Sequence, residues 1–354
     1  MTADEPDANS PAMKIRLRGL DDYQQRHQSI GFPIAVMKKF VEDKCPSLAA
    51  LLAYYGLLSI FPLLLVLFTL LALLFGHDSN LQHRVIHSAL AQFPVIGKQL
   101  GNLNGFASLH KKSGIGLALG LIGLLWGSLG VTKAGQRAMA DIWNVPHLLR
   151  PHFVRRIGRG LEFLGVLILD VILSTVLASL VTFGGHALWF KVAAVVVGLV
   201  LNVSLFILGF RILTPKSIAT RMLTTGAGCA ALGWSFLQYI GTWLVGHELR
   251  HASQLYGYFA SVLGLVFFLY VAAVLTVIAA EIDVVRSRHL YPRSLFAPPL
   301  TSADERVLRD ITLATQRRAD QVVEVRFIEP ESEAHDSASS VEYSDAQEPA
   351  PSDE

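Results

Sequence analysis

The chain has 354 residues, 52% of them apolar, with a mean hydropathy of +0.45 and a formal charge of only +2. So much apolar side chain over such a length excludes an ordinary soluble domain, and no basic, aromatic-interleaved stretch of the kind nucleic acids need is present. Two cysteines, Cys45 and Cys229, exclude a disulfide framework, and a buried apolar role in a reducing compartment is expected of both.

Residues 1–46 read as a cytoplasmic N-terminal segment. Met1–Ser29 is polar. Ile34, Met37 and Val41 then share one helical face, with Lys38 and Lys39 beside it. That pattern fits a helix lying on the inner membrane surface, and equally a solvated lead-in. Six apolar stretches follow, near Leu48–Phe75, Gly114–Val131, Leu161–Phe183, Leu188–Leu213, Met222–Gly246 and Tyr258–Ala280. Each is about 20 residues or more, the length needed to cross a hydrocarbon core of about 30 Å. The first begins too late, and is too long, for a cleaved signal peptide. The fold class expected is therefore all-α: a polytopic membrane protein with six transmembrane helices over 47–283. Of the 30 Lys and Arg, 24 fall before the first stretch, in alternate connections or after the last. Basic residues near short loops stay inside, so both termini are placed in the cytoplasm.

Within the first stretch Pro62 removes a backbone bond to the Leu58 carbonyl and should kink the helix, and Ser59 can bond a nearby carbonyl in partial compensation. The outer connection Gly76–Lys112 has two short amphipathic patterns and four histidines, His77, His83, His87 and His110. Of these, His83 and His87 stand four apart; exposed polar histidines are a commoner outcome than a metal pair. The second stretch repeats glycine at Gly116, Gly120, Gly123, Gly127 and Gly130, a spacing that lets helices approach closely. It runs into Arg137 and Asp141, which can pair one turn apart, and Trp143, which suits an interfacial belt. The third and fourth stretches turn at Gly184, Gly185 and His186. Asp170 and Asn202 fall at similar depth in them, and Gln238 lies in the fifth. A mid-membrane carboxylate is costly and faces either a partner or a cavity, so a hydrogen bond to Asn202 and a water-lined site are both open for Asp170. Residues 284–328 form a cytoplasmic C-terminal segment, and 329–354 a disordered tail. From Ala319 to Glu354 there are 11 acidic residues against Arg326 alone.

Residues 247–251 read His-Glu-Leu-Arg-His, the H-E-x-x-H pattern of helical zinc sites, with His247 and His251 as ligands and Glu248 as base. Catalytic zinc needs a third protein ligand, and Glu281 and Asp283 lie towards the opposite face. His77, Asp78, His83 or His87 would have to supply it. The zinc-protease reading is kept as an alternative to a polar loop.

The segment Ala53–Pro62 (A-Y-Y-G-L-L-S-I-F-P), the Ile142–Val145 run I-W-N-V, Phe210–Leu213, the Tyr256–Gly257 step and Ala280–Glu281 resemble the YihY/virulence factor BrkB family, over roughly Phe32–Val285. One departure is Ala280, where members usually carry glycine. The resemblance implies an all-helical inner-membrane protein of unsettled activity. A ribonuclease label attached to some members finds no support in this chain, whose 12 histidines form no H-x-H pair. The resemblance and the polar residues together mark Tyr54, Tyr55, Ser59, Pro62, Asp170, Asn202, Gln238, Tyr256, Tyr270 and Glu281 as candidates for binding or moving an amphipathic or anionic solute, or a lipid. The alternatives are the protease and a non-catalytic scaffold. No cofactor, no catalytic residue and no nucleic-acid partner is expected.

Overall fold

A computed structural model describes residues 19, 21–75, 113–150, 157–167, 169–170, 173, 188–248, 254–295, 300–318 and 320–327. Among them all regular structure is helical: α1 (Gln28–Glu42), α2 (Cys45–Phe75), α3 (Ser113–Ile142), α4 (157–167), α5 (Leu188–Leu213), α6 (Thr224–Glu248), α7 (Gln254–Ser287) and α8 (Ser302–Ala314). The expected helices of the first outer connection, the turn at Gly184–His186 and the acidic tail lie outside the described residues.

Helix ends are set by residues that tolerate left-handed backbone. Asn144 follows α3 at φ 49° and His289 follows α7 at φ 51°. Each lets the next amide reach back five residues, Val145 N to the Ala140 carbonyl at 2.8 Å and Leu290 N to the Val285 carbonyl at 3.0 Å. These bonds satisfy carbonyls the helix leaves open, and the buried Val145 and Leu290 side chains seal the turns. Lys44, at φ 54°, makes the sharp step from α1 to α2.

The tightest pair is α2 with α3, running antiparallel. The glycine face expected from the spacing makes this contact. A Cβ on Gly127 would meet Ser59 Cβ at 2.7 Å, one on Gly123 would meet the Pro62 ring at 3.0 Å, and one on Gly130 would strike the Tyr55 ring. The side-chain surroundings of Gly116 and Gly120 lie outside the described residues. Pro62 sits inside an unbroken helix. Ser59 Oγ donates to the Tyr55 and Gly56 carbonyls at 2.7 and 3.0 Å, the local bonding expected of it. On its other side α2 packs against α7, which also touches α1, α3 and α6, and α5 closes the far edge against α6.

Buried apolar side chains concentrate at one end, where Phe40, Ile142, Trp143, Phe210, Leu223, Val277, Val284, Val285, Leu290 and Val307 form the core. Along the shafts the helices are apolar but uncovered. Val195–Leu213 in α5 and Val262–Ser287 in α7 are long and apolar enough to cross a membrane, and Cys45–Ile60 is a shorter apolar stretch. Only 17% and 28% of those two long stretches is buried, so neither is the hidden centre of a soluble bundle.

Trp143, expected at an interface, is 1% exposed in the core, because the α3 C-terminal turn folds under α7. Cys229 is exposed on α6, against the buried role expected of it. Cys45 is buried, but as a hydrogen-bond donor rather than a mere hydrophobe.

Candidate functional site

The covered end of the bundle is built around charged side chains. In α1, Ala35, Val36, Lys39 and Phe40 form the buried stripe, a spacing that fits one helical face. The opposite stripe, with Ile30, Met37 and Val41, is exposed. Lys39, beside the apolar face in sequence, has a fully buried side chain. Charge alone suggests exposure; the burial is made possible by one carbonyl and two carboxylates around the ammonium. Its ammonium donates to the Ile142 carbonyl at 2.8 Å, contacts Asp43 closely, and lies 3.1 Å from Glu281 Oε2. Ile142 is the last residue of α3, so the lysine caps an orphan carbonyl at the negative helix end. Cys45 Sγ, at the first residue of α2, donates to Glu281 Oε1 at 3.1 Å. Four helices thus meet on one buried group of Lys39, Asp43, Cys45 and Glu281. Burial opposes the charge on Lys39, but Glu281 and Asp43 outweigh it and hold the ammonium's pKa above its ordinary value. Burial pushes the Asp43 carboxyl up, over the opposing pull of Lys39.

A cleft of about 170 Å³ opens beside this group, lined among others by Asp43, Lys44, Asp141, Asn144, His147 and Arg150. Arg150 is tied to Asp141 at 2.6 Å. The Arg137–Asp141 pair expected from spacing forms at 3.6 Å. Burial, with the neighbouring Arg150, lowers the His147 pKa.

A second network fastens the segment after α7 back onto α1. Arg293, 1% exposed, donates to both Glu42 oxygens at 2.8 and 2.9 Å and to Asp304 at 2.8 Å. Lys38 reaches Asp304 at 2.9 Å, and the Ser294 amide and Thr301 hydroxyl donate to the same carboxylate. Asp21 accepts from Gln24, Ser294 and the Leu295 amide. Arg288 donates to the Trp143 carbonyl at 2.8 Å, lies over the Trp143 ring, and pairs with Asp310. None of this was legible from periodicity, since α8 is short and amphipathic and the partners are up to 274 residues apart.

Burial alone would raise the Asp304 carboxyl, but Lys38, the Ser294 amide, Thr301 and Arg293 together hold it down at about 2. A depressed carboxyl contributes stability above its unfolded value of 3.8, and that stability is lost as pH falls towards 2. Thermal unfolding of Asp304→Asn should therefore match the wild type's acid-weakened state at neutral pH and show a shallower fall below pH about 4. Parallel curves for the two proteins would contradict this assignment.

On α7 the side chain two residues past Glu281 does a different task. Asp283 Oδ1 accepts from the Gly226 amide at 2.6 Å in the first turn of α6, a cap supplied from another helix.

Further up, α3, α4 and α5 enclose polar groups the sequence reading did not single out. Thr132 and Gln136 stand one turn apart on α3. Gly160 of α4 approaches Thr132, and the adjacent Arg159 directs Nη1 at the Thr214 carbonyl at 3.5 Å. All four side chains are buried. Both polar atoms of Gln136 and the Thr214 hydroxyl have no hydrogen-bond partner. Isolated polar residues on apolar helices carry no spacing signal, so only the packing brings these together.

The residues singled out from sequence do not share one site. Tyr55, Ser59 and Pro62 pack on the α3 glycines, and Tyr54 is exposed beside Tyr55. Asn202 Nδ2 donates to Ser235 Oγ at 3.3 Å and to the Ala231 carbonyl at 3.5 Å, joining α5 to α6. Asp170 and Gln238 are half-buried, and neither is free of partners. Tyr270 packs against the core, and Glu281 belongs to the Lys39 group. Tyr256 falls on α7, its side chain outside the described residues. Glu248 closes α6, with His247 before it; their side chains, and His251 altogether, lie outside the described residues, as do His77, His83 and His87. Among the described residues no group of three or more His, Cys, Asp or Glu side chains is placed to hold a metal.

Long uncovered apolar shafts ending in a buried charged joint define an all-α bundle of the membrane-associated class. The chain belongs to the virulence factor BrkB family, whose model matches residues 36–301. The match takes in Lys39, Asp43, Cys45, Glu281 and Arg293 and stops short of Asp304. No curated protein and no solved structure matches the chain.

Proposed function

We propose that the chain is a six-span inner-membrane protein, both termini cytoplasmic, that binds or moves an anionic amphiphile such as a phospholipid. It is read as a non-enzymatic protein with no cofactor. The uncovered apolar faces of α5 and α7 support lipid contact, with Val195 71% and Phe267 67% exposed. The exposed stripe of α1 supports a helix resting on the inner leaflet.

One observation carries the choice of ligand. Arg159 is buried beside α3 and α5, where the Gln136 amide and the Thr214 hydroxyl lack partners. Buried polar groups are normally satisfied, so the partnerless Thr214 hydroxyl, on the residue whose carbonyl faces the Arg159 guanidinium, suits an anionic headgroup. The intramembrane polar residues Asp170, Asn202 and Gln238 add to the reading.

The test is native mass spectrometry of protein purified from nanodiscs of equal phosphatidylglycerol and phosphatidylcholine. Preferential retention of the anionic lipid is expected, weakened about tenfold in Arg159→Gln, the effect of losing one charge-assisted hydrogen bond. Equal retention of both lipids, or retention indifferent to Arg159→Gln in a folded protein, would remove this ligand assignment.

A further inference from the structure

The ionisable groups at the joint of α1 and α7 do not balance. Lys39 brings one positive charge, while Asp43 and Glu281 bring two negative ones, and their side chains are 0%, 4% and 0% exposed. An uncompensated charge at such burial is strongly unfavourable, and the usual remedy is to bind a proton. The bonding supports that remedy. Cys45 donates to Glu281 Oε1, whereas Glu281 Oε2 has no hydrogen-bond partner although the Lys39 ammonium lies 3.1 Å away. Asp43 and Glu281 crowd the same ammonium, Asp43 in close contact with it and Glu281 Oε2 at 3.1 Å. Two buried carboxylates against a single cation disfavour the doubly ionised form, and one bound proton relieves it.

Other charges nearby do not fill the deficit. Glu42 of α1 is held by Arg293, and Asp141 of α3 is held by Arg150. Asp283 of α7 caps the Gly226 amide of α6. Lys44, His147 and Arg150 line the cleft, where α8 and the residue after it contribute only Ile311, Ala314 and Thr315. The same cleft includes Asp43 in its wall, so the buried group has an opening to water.

We propose that Asp43 and Glu281 together bind one proton over Lys39, taken from and returned to water through the cleft beside Asp43. Release breaks one carboxyl O–H bond and passes the proton to water or buffer in the cleft. The joint then carries one net negative charge between α1 and α7, with no redox change. The site does not depend on the identity of any transported solute. Its expected consequence is a pH-dependent grip of α1 on the bundle. A carboxyl raised in the folded state contributes stability at low pH, and that contribution is lost as pH rises through the folded value. The direction found for Asp43 gives the same sign.

The experiment is an infrared pH titration of the full-length protein in nanodiscs, run beside thermal unfolding at each pH. A protonated-carboxyl band that disappears on moving from mildly acid to mildly alkaline buffer is expected, with one proton released per chain. That band should be missing from Glu281→Gln and from Asp43→Asn, and the fall in Tm with rising pH should flatten in both. Should Glu281→Gln not fold, Asp43→Asn carries the test alone. A wild-type protein without the band overturns the proposal, as does a band intact in both variants. So does a Tm that rises with added sodium or potassium at fixed pH while no band is seen, since a metal cation would then supply the missing charge.

Discussion

Lys39→Met should be among the most damaging single substitutions in this protein, costing about 3–5 kcal/mol, because removing one partner of a buried ionic group strands the others. Here it strands Asp43 and Glu281 together and also uncaps the Ile142 carbonyl at the end of α3. Thermal unfolding in detergent, read by tryptophan fluorescence, reports the loss through Trp143, the residue after Ile142. The mechanism has a signature that general core damage lacks. Pairing Lys39→Met with Glu281→Gln removes a negative charge along with the positive one and should recover a substantial part of the loss. If the double variant is no better than the sum of the two singles, the charges are not coupled and the electrostatic account fails.

The second large effect is expected at Gly226. A methyl there would overlap the Ala279 carbonyl oxygen and the Asp283 carboxylate that caps its own amide. Because one obstacle is backbone, α6 and α7 would have to separate. Gly226→Ala should cost about 3 kcal/mol, the upper end of overpacking, and adding Asp283→Ala should not rescue it. Two residues on, a methyl at Gly228 meets nothing within 4 Å. Gly228→Ala should be neutral or stabilising by up to about 1 kcal/mol, from helix propensity alone. Monodisperse yield by size-exclusion chromatography and Tm would separate the two; equal tolerance of both substitutions would contradict the close α6–α7 approach.

How much of the site was readable follows from what periodicity can encode. Glycines four apart announced a close helix contact, and Gly123 and Gly127 make it, against Pro62 and Ser59. Spacing cannot say which helix is the partner. The Ala53–Pro62 motif carries the candidates Tyr54, Tyr55, Ser59 and Pro62, and only the packing shows that Tyr55, Ser59 and Pro62 also lie against the α3 glycines. Glu281 was marked through its family motif, but not its partner. Lys39 lies 242 positions earlier in a stretch that reads as a surface helix. Trp143 misled for the same reason: an aromatic near a span end suits an interfacial belt, and only the fold of the α3 terminus under α7 buries it. The H-E-x-x-H stretch stood out because local motifs are what a sequence displays best, while Gln136, Arg159 and Thr214 had no local pattern to show.

The amino-acid sequence by itself determined the all-helical class, the long apolar stretches, the glycine face and the family, since each is written in residue type and short-range spacing. Tertiary structure alone decided the charged end of the bundle. Lysine, arginine and carboxylate side chains default to solvent, and burying them requires partners from distant helices. The same rule places Lys39 on Glu281, Arg293 on Glu42 and Asp304, and Asp283 on the Gly226 amide.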